Sequence, residues 1–408
     1  MKRVVVTGMA GLTPIGCNWT DVAQRLKDRK SGIRYMSDWE TFNGLSTRLA
    51  ASIPDFDRPE HYSRKSIRSM GRVALLATRA SELALIDANL LGDAILQSGA
   101  VGVSYGSSSG SPPALADFGQ MLLNHSTEGI SATTYIKMMP HTTAVNLCVF
   151  FGLKGRVITT SSACTSGSQG IGYAYEAIKF GKQVAMIAGG GEELSPTQAA
   201  VFDTLYATST RNTEPHLTPR PFDAGRDGLV IGEGAATLIL EEYEHAKARG
   251  ANIYAEIVGY GTNTDGVHVT QPERDTMRTC MQLALQDAGL APDDIGYVSA
   301  HGTATDRGDV AESEATAGLF GSRIPISALK SYTGHTLGAC GAMEAWVAIQ
   351  MMREGWFHPT LNLDAVDPEC AQLDYIVGEP RSLDCDYVMS NNFAFGGINT
   401  SLIFRRIR

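Results

Sequence analysis

The sequence predicts an α/β fold built from two similar halves, and three observations carry that prediction. Short apolar runs ending in glycine alternate with helix-patterned stretches, the order expected when strands are joined by helices. The 43 glycines close those runs instead of gathering in low-complexity tracts, so they mark tight turns of a folded chain. The chain also matches itself when displaced by 171 positions: Cys164 falls on His335, Gly167 on Gly338, Gly170 on Gly341, Ala174 on Ala345, Ala177 on Ala348 and Ile178 on Ile349.

The strands follow in order. "KRVVVTG" opens the chain as a first strand; two basic residues before only three valines are too few for a secretory leader. "SGAVGVSYGS", "RVITTSSA", "QVAMIAGGGEE", "AATLILEEY", "IYAEIVGYG", "IGYVSAHGT" and "YVMSNNFAFGG" continue the series. Residues 213–234, "TEPHLTPRPFDAGRDGLVIGEG", are rich in Pro, Gly and charge and predict a long packed loop leading into a strand. In both copies of the repeat a turn enters a helix, and glycines three apart bare one helix face for close packing. If the halves are related by a pseudo-twofold axis, Cys164 and His335 converge on its centre.

With 408 residues and 43% apolar composition, the chain can bury a large core without a disulfide or metal staple. Its seven cysteines are an odd set with no CxxC spacing, which fits a reducing, cytoplasmic setting and gives no metal site. No run approaches membrane-spanning length. A net charge of −9 argues against nucleic acid as partner.

Cys164 sits in "TTSSACTSGSQGIG", directly before a helical pattern. There the helix dipole and unpaired N–H groups are expected to lower the thiol pKa and to hold a developing oxyanion. His301 and His335 each lie in a short Gly/Thr loop after an apolar run, while the other seven histidines lack that setting. Lys330 precedes His335 by five residues, and Asp309 and Glu312 follow His301 in the next helix. Cysteine, two histidines, lysine and carboxylate together can form a thioester and stabilise an enolate.

These motifs, with "GGGEE", "RPFDAGRDGLVIGEGA", "AHGTATDRGDVAE", "LKSYTGHTLGACGAMEA" and "SNNFAFGGINTSLIF", give the chain a resemblance over its whole length to the β-ketoacyl-acyl carrier protein synthases. The resemblance implies a thiolase-like duplicated αβαβα five-layer sandwich, with residues 1–250 carrying the nucleophile and 251–408 the two histidines. It implies acyl transfer from carrier-protein phosphopantetheine to Cys164, then decarboxylating condensation with malonyl carrier protein and no cofactor of the enzyme's own. By position, His301 and His335 would hold the enolate, and the backbone N–H groups of Cys164 and Phe395 the oxyanion, with Phe395 also a gate. Lys330 and Glu312 would hold the histidines, with Glu344 and Asp309 behind them; Thr303 and Thr305 would touch the pantetheine arm, and Phe393 and Ser109 would line the substrate path. A dimer is implied, with a second copy or with a synthase-like chain-length partner. A degradative thiolase would add a second cysteine near the C-terminus, and a plant-type ketide synthase would replace one histidine by asparagine. A non-catalytic chain-length partner would lack the nucleophile that this chain keeps.

Arg64, Lys65, Arg68 and Arg72 fall within nine residues, and the three arginines follow at four-residue spacing, which predicts one basic helix face where an acidic carrier protein would dock with salt-sensitive steering. A second basic segment common in relatives is replaced by "NHSTEGISAT". Thr165 after the nucleophile, Ser109 where relatives carry a bulkier residue, and Ala394 and Ile398 in "FAFGGIN" depart from the usual pattern. Together they favour a specialised, aryl-polyene-type synthase with an open acyl path and a stiffer gate over a housekeeping one.

Overall fold

Local sequence explains how closely the central elements approach one another. In strand Ala185–Glu192, a Cβ on Gly190 would lie 2.2 Å from the Gly338 carbonyl oxygen and 2.7 Å from the Cα of Gly167. The strand is therefore glycine-rich because two helix starts press on it. The structure, a computed structural model, describes residues 1–53 and 56–407.

Among the described residues eleven strands form one sheet with an internal symmetry, beside separate sheets of two and three short strands. It is joined at its middle by Val4–Val6 pairing antiparallel with Ala255–Ile257. Outward on one side run Val4–Leu12, Gly234–Glu242, Ala185–Glu192, Val101–Gly106 and Val157–Thr160. Outward on the other run Ala255–Thr264, Ile398–Arg406, Tyr387–Phe393, Tyr297–Ser299 and Pro325–Ser327, with Asp374–Tyr375 at the far edge. Pair by pair the directions agree: two antiparallel contacts, then two parallel ones, on each side.

Three cores make this five layers. The central one packs helices Ser166–Lys179 and Cys340–Glu354 between both halves of the sheet, joining Ile171, Ile178, Trp346 and Ile349 to Met186 and Leu238 on one side and Tyr297 and Phe404 on the other. Helices Arg72–Asp87 and Thr142–Phe151 cover the outer face of the first half, and Arg274–Ala288 with Asp306–Phe320 cover that of the second. The result is the expected duplicated αβαβα sandwich.

The repeat is present, but its spatial register is not 171. The central helices begin at Ser166 and Cys340, their leading 3-10 turns at Ala163 and Leu337, each pair 174 positions apart. Ala163 (φ 50°) and Leu337 (φ 46°) are both held in the left-handed region, which confirms that these turns correspond. His335 thus lies ahead of its half's turn, whereas Cys164 lies inside the other. The displacement of 171 aligned small-residue patterns on two helices whose entry loops differ in length.

The 213–234 segment is the predicted packed loop: buried Asp223 accepts backbone N–H groups of Gly225, Asp364 and Ala365, and strands Ile231–Gly232 and Gly234–Glu242 follow. We expect Gly190→Ala to lower the melting temperature by overpacking, at a cost of about 1–3 kcal/mol. Gly119→Ala, in helix Pro112–Asn124 with nothing within 4 Å of the added carbon, should be neutral or raise it. Thermal melts of both variants check this; equal shifts would remove the glycine contact as the controlling feature.

Candidate functional site

The Cys164 turn, the end of helix Pro196–Asp203 and the loops around 226–229, 265–272, 301–308 and 393–399 line a cavity of 480 Å³ that runs from exposed Tyr206 and Val269 down to buried Cys164, His301 and His335. Cys164 occupies the 3-10 turn ahead of helix Ser166–Lys179. His335 follows the short helix Lys330–Thr333, and His301 follows strand Tyr297–Ser299. His335 Nε2 lies 3.0 Å from Cys164 Sγ, and the two imidazoles meet edge to face with centroids 5.2 Å apart.

Hydrogen-bond partners assign both tautomers. The Leu337 N–H donates to His335 Nδ1 (3.3 Å), and the Lys330 ammonium donates to His301 Nδ1 (3.0 Å). Each ring therefore carries its proton on Nε2. The Nε2 of His301 has no partner among the described residues although it is buried, so it is a free donor at the cavity floor. Cys164 Sγ and one nitrogen of each histidine lie within 4.8 Å of one another, a cation-site spacing. Metal-bound imidazoles offer a lone pair and donate their other N–H outward; these two receive donors on Nδ1 and present N–H inward, so the set is arranged for an anion.

The lysine is wholly buried. Its Nζ donates to Glu344 Oε1 (2.5 Å), and the other Glu344 oxygen accepts from Asn392 Nδ2 (2.6 Å). Burial works against the ammonium, but the Glu344 carboxylate bonded to it outweighs burial and holds its pKa above the ordinary value. Burial and then the Lys330 charge push both histidines well below the usual imidazole range, so both are neutral. Glu312 accepts the backbone N–H groups of His301 (2.6 Å) and Gly302 (2.7 Å), and Asp309 those of Phe222 (2.6 Å) and Ala304 (3.1 Å). Burial pushes Glu312 up to about 8 and Asp309 to about 6. Both therefore act on the loop that carries His301, not on its ring.

The thiol departs from expectation. Burial pushes Cys164 up to about 11, against the Lys330 charge and the backbone N–H groups of Phe395 and Cys164 that pull it down. Helix-start polarity is present, but desolvation at a fully enclosed sulfur exceeds it. The same two N–H groups face the sulfur, where a thioester oxygen would come.

The remaining positions divide. Thr303 and Thr305 line the cavity with their hydroxyls 2.8 Å apart, and Phe393 lines it 6.2 Å from the His301 ring centroid. Phe395 stacks on Phe202 at 4.9 Å. Ser109 is not among the residues lining this cavity: its hydroxyl donates to buried Glu192 (3.1 Å) and accepts from Gln198 (2.9 Å), a polar tie between two elements. The gate loop takes its left-handed residues at Gly396 and Gly397; Ala394 is not among them, so the alanine brings no strain. Arg64, Lys65 and Arg68 are exposed, but they lie in turns, where Ser63 and Ser66 take up local hydrogen bonds, and not on a helix. Arg72 opens helix Arg72–Asp87 and forks onto buried Glu233 at 2.8 Å through two nitrogens, which removes it from the basic face. Sequence reasoning missed Asn392, Cys340 and Glu192. All three lie inside motifs it had singled out, and their role is visible only through their partners. Cys340 donates to the Cys164 carbonyl (3.2 Å), and Glu192 accepts from Ser107, Ser108, Ser109 and the Gly338 N–H.

With its titration near 11, the thiol at neutral pH is almost all protonated. The rate of iodoacetamide alkylation at Cys164 should therefore rise about tenfold per pH unit from neutrality towards the pKa. Peptide mapping against time checks this, and a plateau near pH 8 would show that the N–H groups and Lys330 outweigh burial.

Residues 1–246 match the Beta-ketoacyl synthase, N-terminal domain, and residues 254–364 the Beta-ketoacyl synthase, C-terminal domain. The chain is 39% identical over 416 residues to 3-oxoacyl-[acyl-carrier-protein] synthase 2 of Vibrio harveyi, covering 100% of this chain and 99% of that protein. Among solved structures, a beta-ketoacyl synthase from Burkholderia phymatum STM815 is 64% identical with a TM-score of 0.99, each chain covered in full. The ishigamide ketosynthase/chain length factor is 30% identical with a TM-score of 0.92, again with both chains covered in full. With both domains matched in order and full-length relatives of this similarity, the chain belongs to the beta-ketoacyl synthase family.

Proposed function

We propose that the protein is a 3-oxoacyl-[acyl-carrier-protein] synthase in which Cys164 carries the growing acyl chain. The observation that carries this reading is the pair of inward Nε2–H donors, His335 at 3.0 Å from the Cys164 sulfur and His301 unpartnered at the same cavity floor. Neither ring offers a lone pair to the thiol, so neither is its base. Cys164 attacks the thioester carbonyl brought in on phosphopantetheine, the N–H groups of Cys164 and Phe395 hold the oxyanion, and the departing pantetheine sulfur takes up the proton that Cys164 loses. In the second half the malonyl thioester loses CO₂, and its enolate oxygen accepts from His301 and His335. The carbanion attacks the acyl-Cys164 carbonyl, the C–S bond breaks, and the freed thiolate takes up one proton from solvent, the one proton that loss of the malonyl carboxylate as CO₂ consumes in each cycle. Electrons and atoms balance without a cofactor of the enzyme's own.

Lys330 and Glu344 keep His301 a donor, Glu312 and Asp309 fix its loop, and Thr303 and Thr305 border the path of the arm. Among the described residues no helix is long and apolar enough to cross a membrane, and all seven cysteines are free, which supports the cytoplasm as the place of action. With Ser109 tied to Glu192 and Ala394 outside the left-handed region, the aryl-polyene-type branch rests on Thr165 and Ile398. It expects polyenoyl donors to acylate at least as fast as saturated ones.

Intact-protein mass after incubation with acyl carrier proteins tests the class and the branch together. An adduct should form, be absent in Cys164→Ala, and disappear on adding malonyl carrier protein. His301→Ala and His335→Ala should still acylate but condense about 10²–10³-fold more slowly, the cost of losing one such donor. An adduct that survives in Cys164→Ala would sink the assignment, and a clear preference for saturated chains would return it to housekeeping elongation.

We further propose a second synthase-like chain along edge strand Val157–Thr160. That edge has no strand partner on its outer side among the described residues, Val145, Val149 and Val157 are exposed beside it, and the Cys164 turn follows directly. Val149→Asp should shift the protein towards monomer in sedimentation velocity; an unchanged dimer would place the interface elsewhere.

A further inference from the structure

We infer that Glu192 is a positioning residue for His335, fixing the turn that makes this ring a donor at the Cys164 sulfur; this rests on the synthase reading above. Glu192 closes strand Ala185–Glu192 in the first half of the chain, while His335 belongs to the second. Its carboxylate is completely buried and, among the described residues, forms no ion pair; its hydrogen-bond partners are donors from two turns. Oε2 accepts the main-chain N–H groups of Ser108 (2.9 Å) and Gly338 (3.0 Å) and the Ser108 hydroxyl, while Oε1 accepts the hydroxyls of Ser107 and Ser109 (3.1 Å each).

Gly338 lies in the 3-10 turn Leu337–Ala339, directly after the residue whose N–H sets the His335 tautomer. Upstream, the main chain of His335 is already held: its N–H donates to the Val230 carbonyl (2.6 Å), and its carbonyl accepts from the Gly232 N–H (2.9 Å). Only Thr336 and Leu337 separate those ties from the Glu192 tie at Gly338. Leu337 stands at φ 46°, a left-handed conformation that a leucine keeps only where its surroundings over-determine it. Glu192 supplies the downstream hold, so the Leu337 N–H stays aimed at His335 Nδ1 (3.3 Å).

A buried carboxylate without a counter-ion is costly, and a turn can be closed without one. The adjacent Glu193 shows the ordinary use: it is buried too, and accepts the Val73 N–H (3.1 Å) at the start of helix Arg72–Asp87. Glu192 instead joins a turn of the first half to the turn that orients a site histidine. With the Leu337 N–H turned away, Nδ1 would lose its donor and the ring proton could settle there, leaving a lone pair at Cys164 where a donor is required. Glu192 therefore acts, through Gly338 and Leu337, on which nitrogen of His335 carries the proton.

The test compares Glu192→Gln, Glu192→Asp and, as a control, Glu193→Asp. Glutamine keeps the length: its amide oxygen can accept both main-chain N–H groups, and its NH₂ faces hydroxyls that can turn round. Aspartate keeps the charge but is one carbon too short to reach Ser108 and Gly338 together. Glu192→Gln should condense at close to the wild-type rate and Glu192→Asp about 10–100-fold more slowly, the cost of a misplaced site group. Acylation of Cys164 by an acyl carrier protein should be unchanged in both, because that half-reaction does not use His335. In ring ¹⁵N spectra of histidine-labelled enzyme, the His335 signals, assigned by their absence in His335→Ala, should show the proton on Nε2 in wild type and Glu192→Gln and a shift towards Nδ1 in Glu192→Asp. Wild-type condensation or an unchanged tautomer in Glu192→Asp, a Glu192→Gln as slow as Glu192→Asp, equal slowing in Glu193→Asp, or loss of the fold in Glu192→Asp on melting would each overturn the positioning role. Absence of both adduct and condensation in wild type would instead overturn the synthase reading on which it rests.

Discussion

The buried ammonium of Lys330 is the interaction on which the rest of the site depends. It lies between the Glu344 carboxylate and the His301 ring, and Asn392 completes the carboxylate from the other side. Without the lysine, Glu344 would be an unpaired charge in the interior; breaking such a pair costs about 3–5 kcal/mol. Its chemical effect is more specific than its stability. Donation to Nδ1 makes His301 an Nε2–H donor, and the positive charge nearby keeps a second proton off either ring. A neutral donor can bind an enolate and release it afterwards, whereas an imidazolium would hold the anion as a salt. His335 reaches the same state by a different route, a backbone N–H from Leu337.

That arrangement is possible only because two helix starts from different halves come together. Gly167, Gly190 and Gly338 remove the side chains that would hold them apart, and Glu192 ties the Gly338 N–H to the serines after strand Val101–Gly106. The cost is concentrated in the backbone at Ala163 and Leu337, equivalent left-handed residues that turn each chain into its helix. The duplicated fold therefore supplies one strained turn from each half. The pseudo-twofold relation is broken by what each turn carries: Cys164 inside the first, and His335 ahead of the second.

The sequence displayed Cys164, the nucleophile we propose, both histidines and Lys330 because each sits in a short loop bounded by an apolar run and a helix, a context readable one residue at a time. The alternation of strands and helices was legible for the same reason. What was not legible depends on partners distant in the chain. Four-residue spacing placed Arg72 on a face with Arg64 and Arg68, but Glu233, 161 positions away, takes it. Ser109 was read by size, and its hydroxyl is spent on Glu192 and Gln198. The thiol pKa was read from the helix start alone, while complete burial, a property of the assembled cavity, decides its direction. The 171-residue displacement found a true duplication but matched composition where the fold matches turns.

Two cysteines share this site, and their surroundings assign them opposite roles. Cys164 faces donors: the His335 Nε2–H, its own N–H and that of Phe395, with Lys330 close enough to pull its pKa down. Each would stabilise a thiolate as it forms in attack or departs after condensation. Cys340 donates to the Cys164 carbonyl, and burial, with the Glu344 carboxylate adding to it against the pull of Lys330, pushes its thiol well above the usual range. It therefore keeps its proton and donates it to the main chain of the nucleophile. Both sulfurs are buried and both feel the Lys330 charge, so what divides them is the bond each makes: Cys164 has the His335 Nε2–H at its sulfur, while Cys340 gives its own proton to a carbonyl. A buried acyl-carrying thiol suits the chemistry for the same reason: transfer between two sulfurs moves one proton from one to the other. The desolvation that raises the thiol pKa also keeps water from the thioester and the enolate.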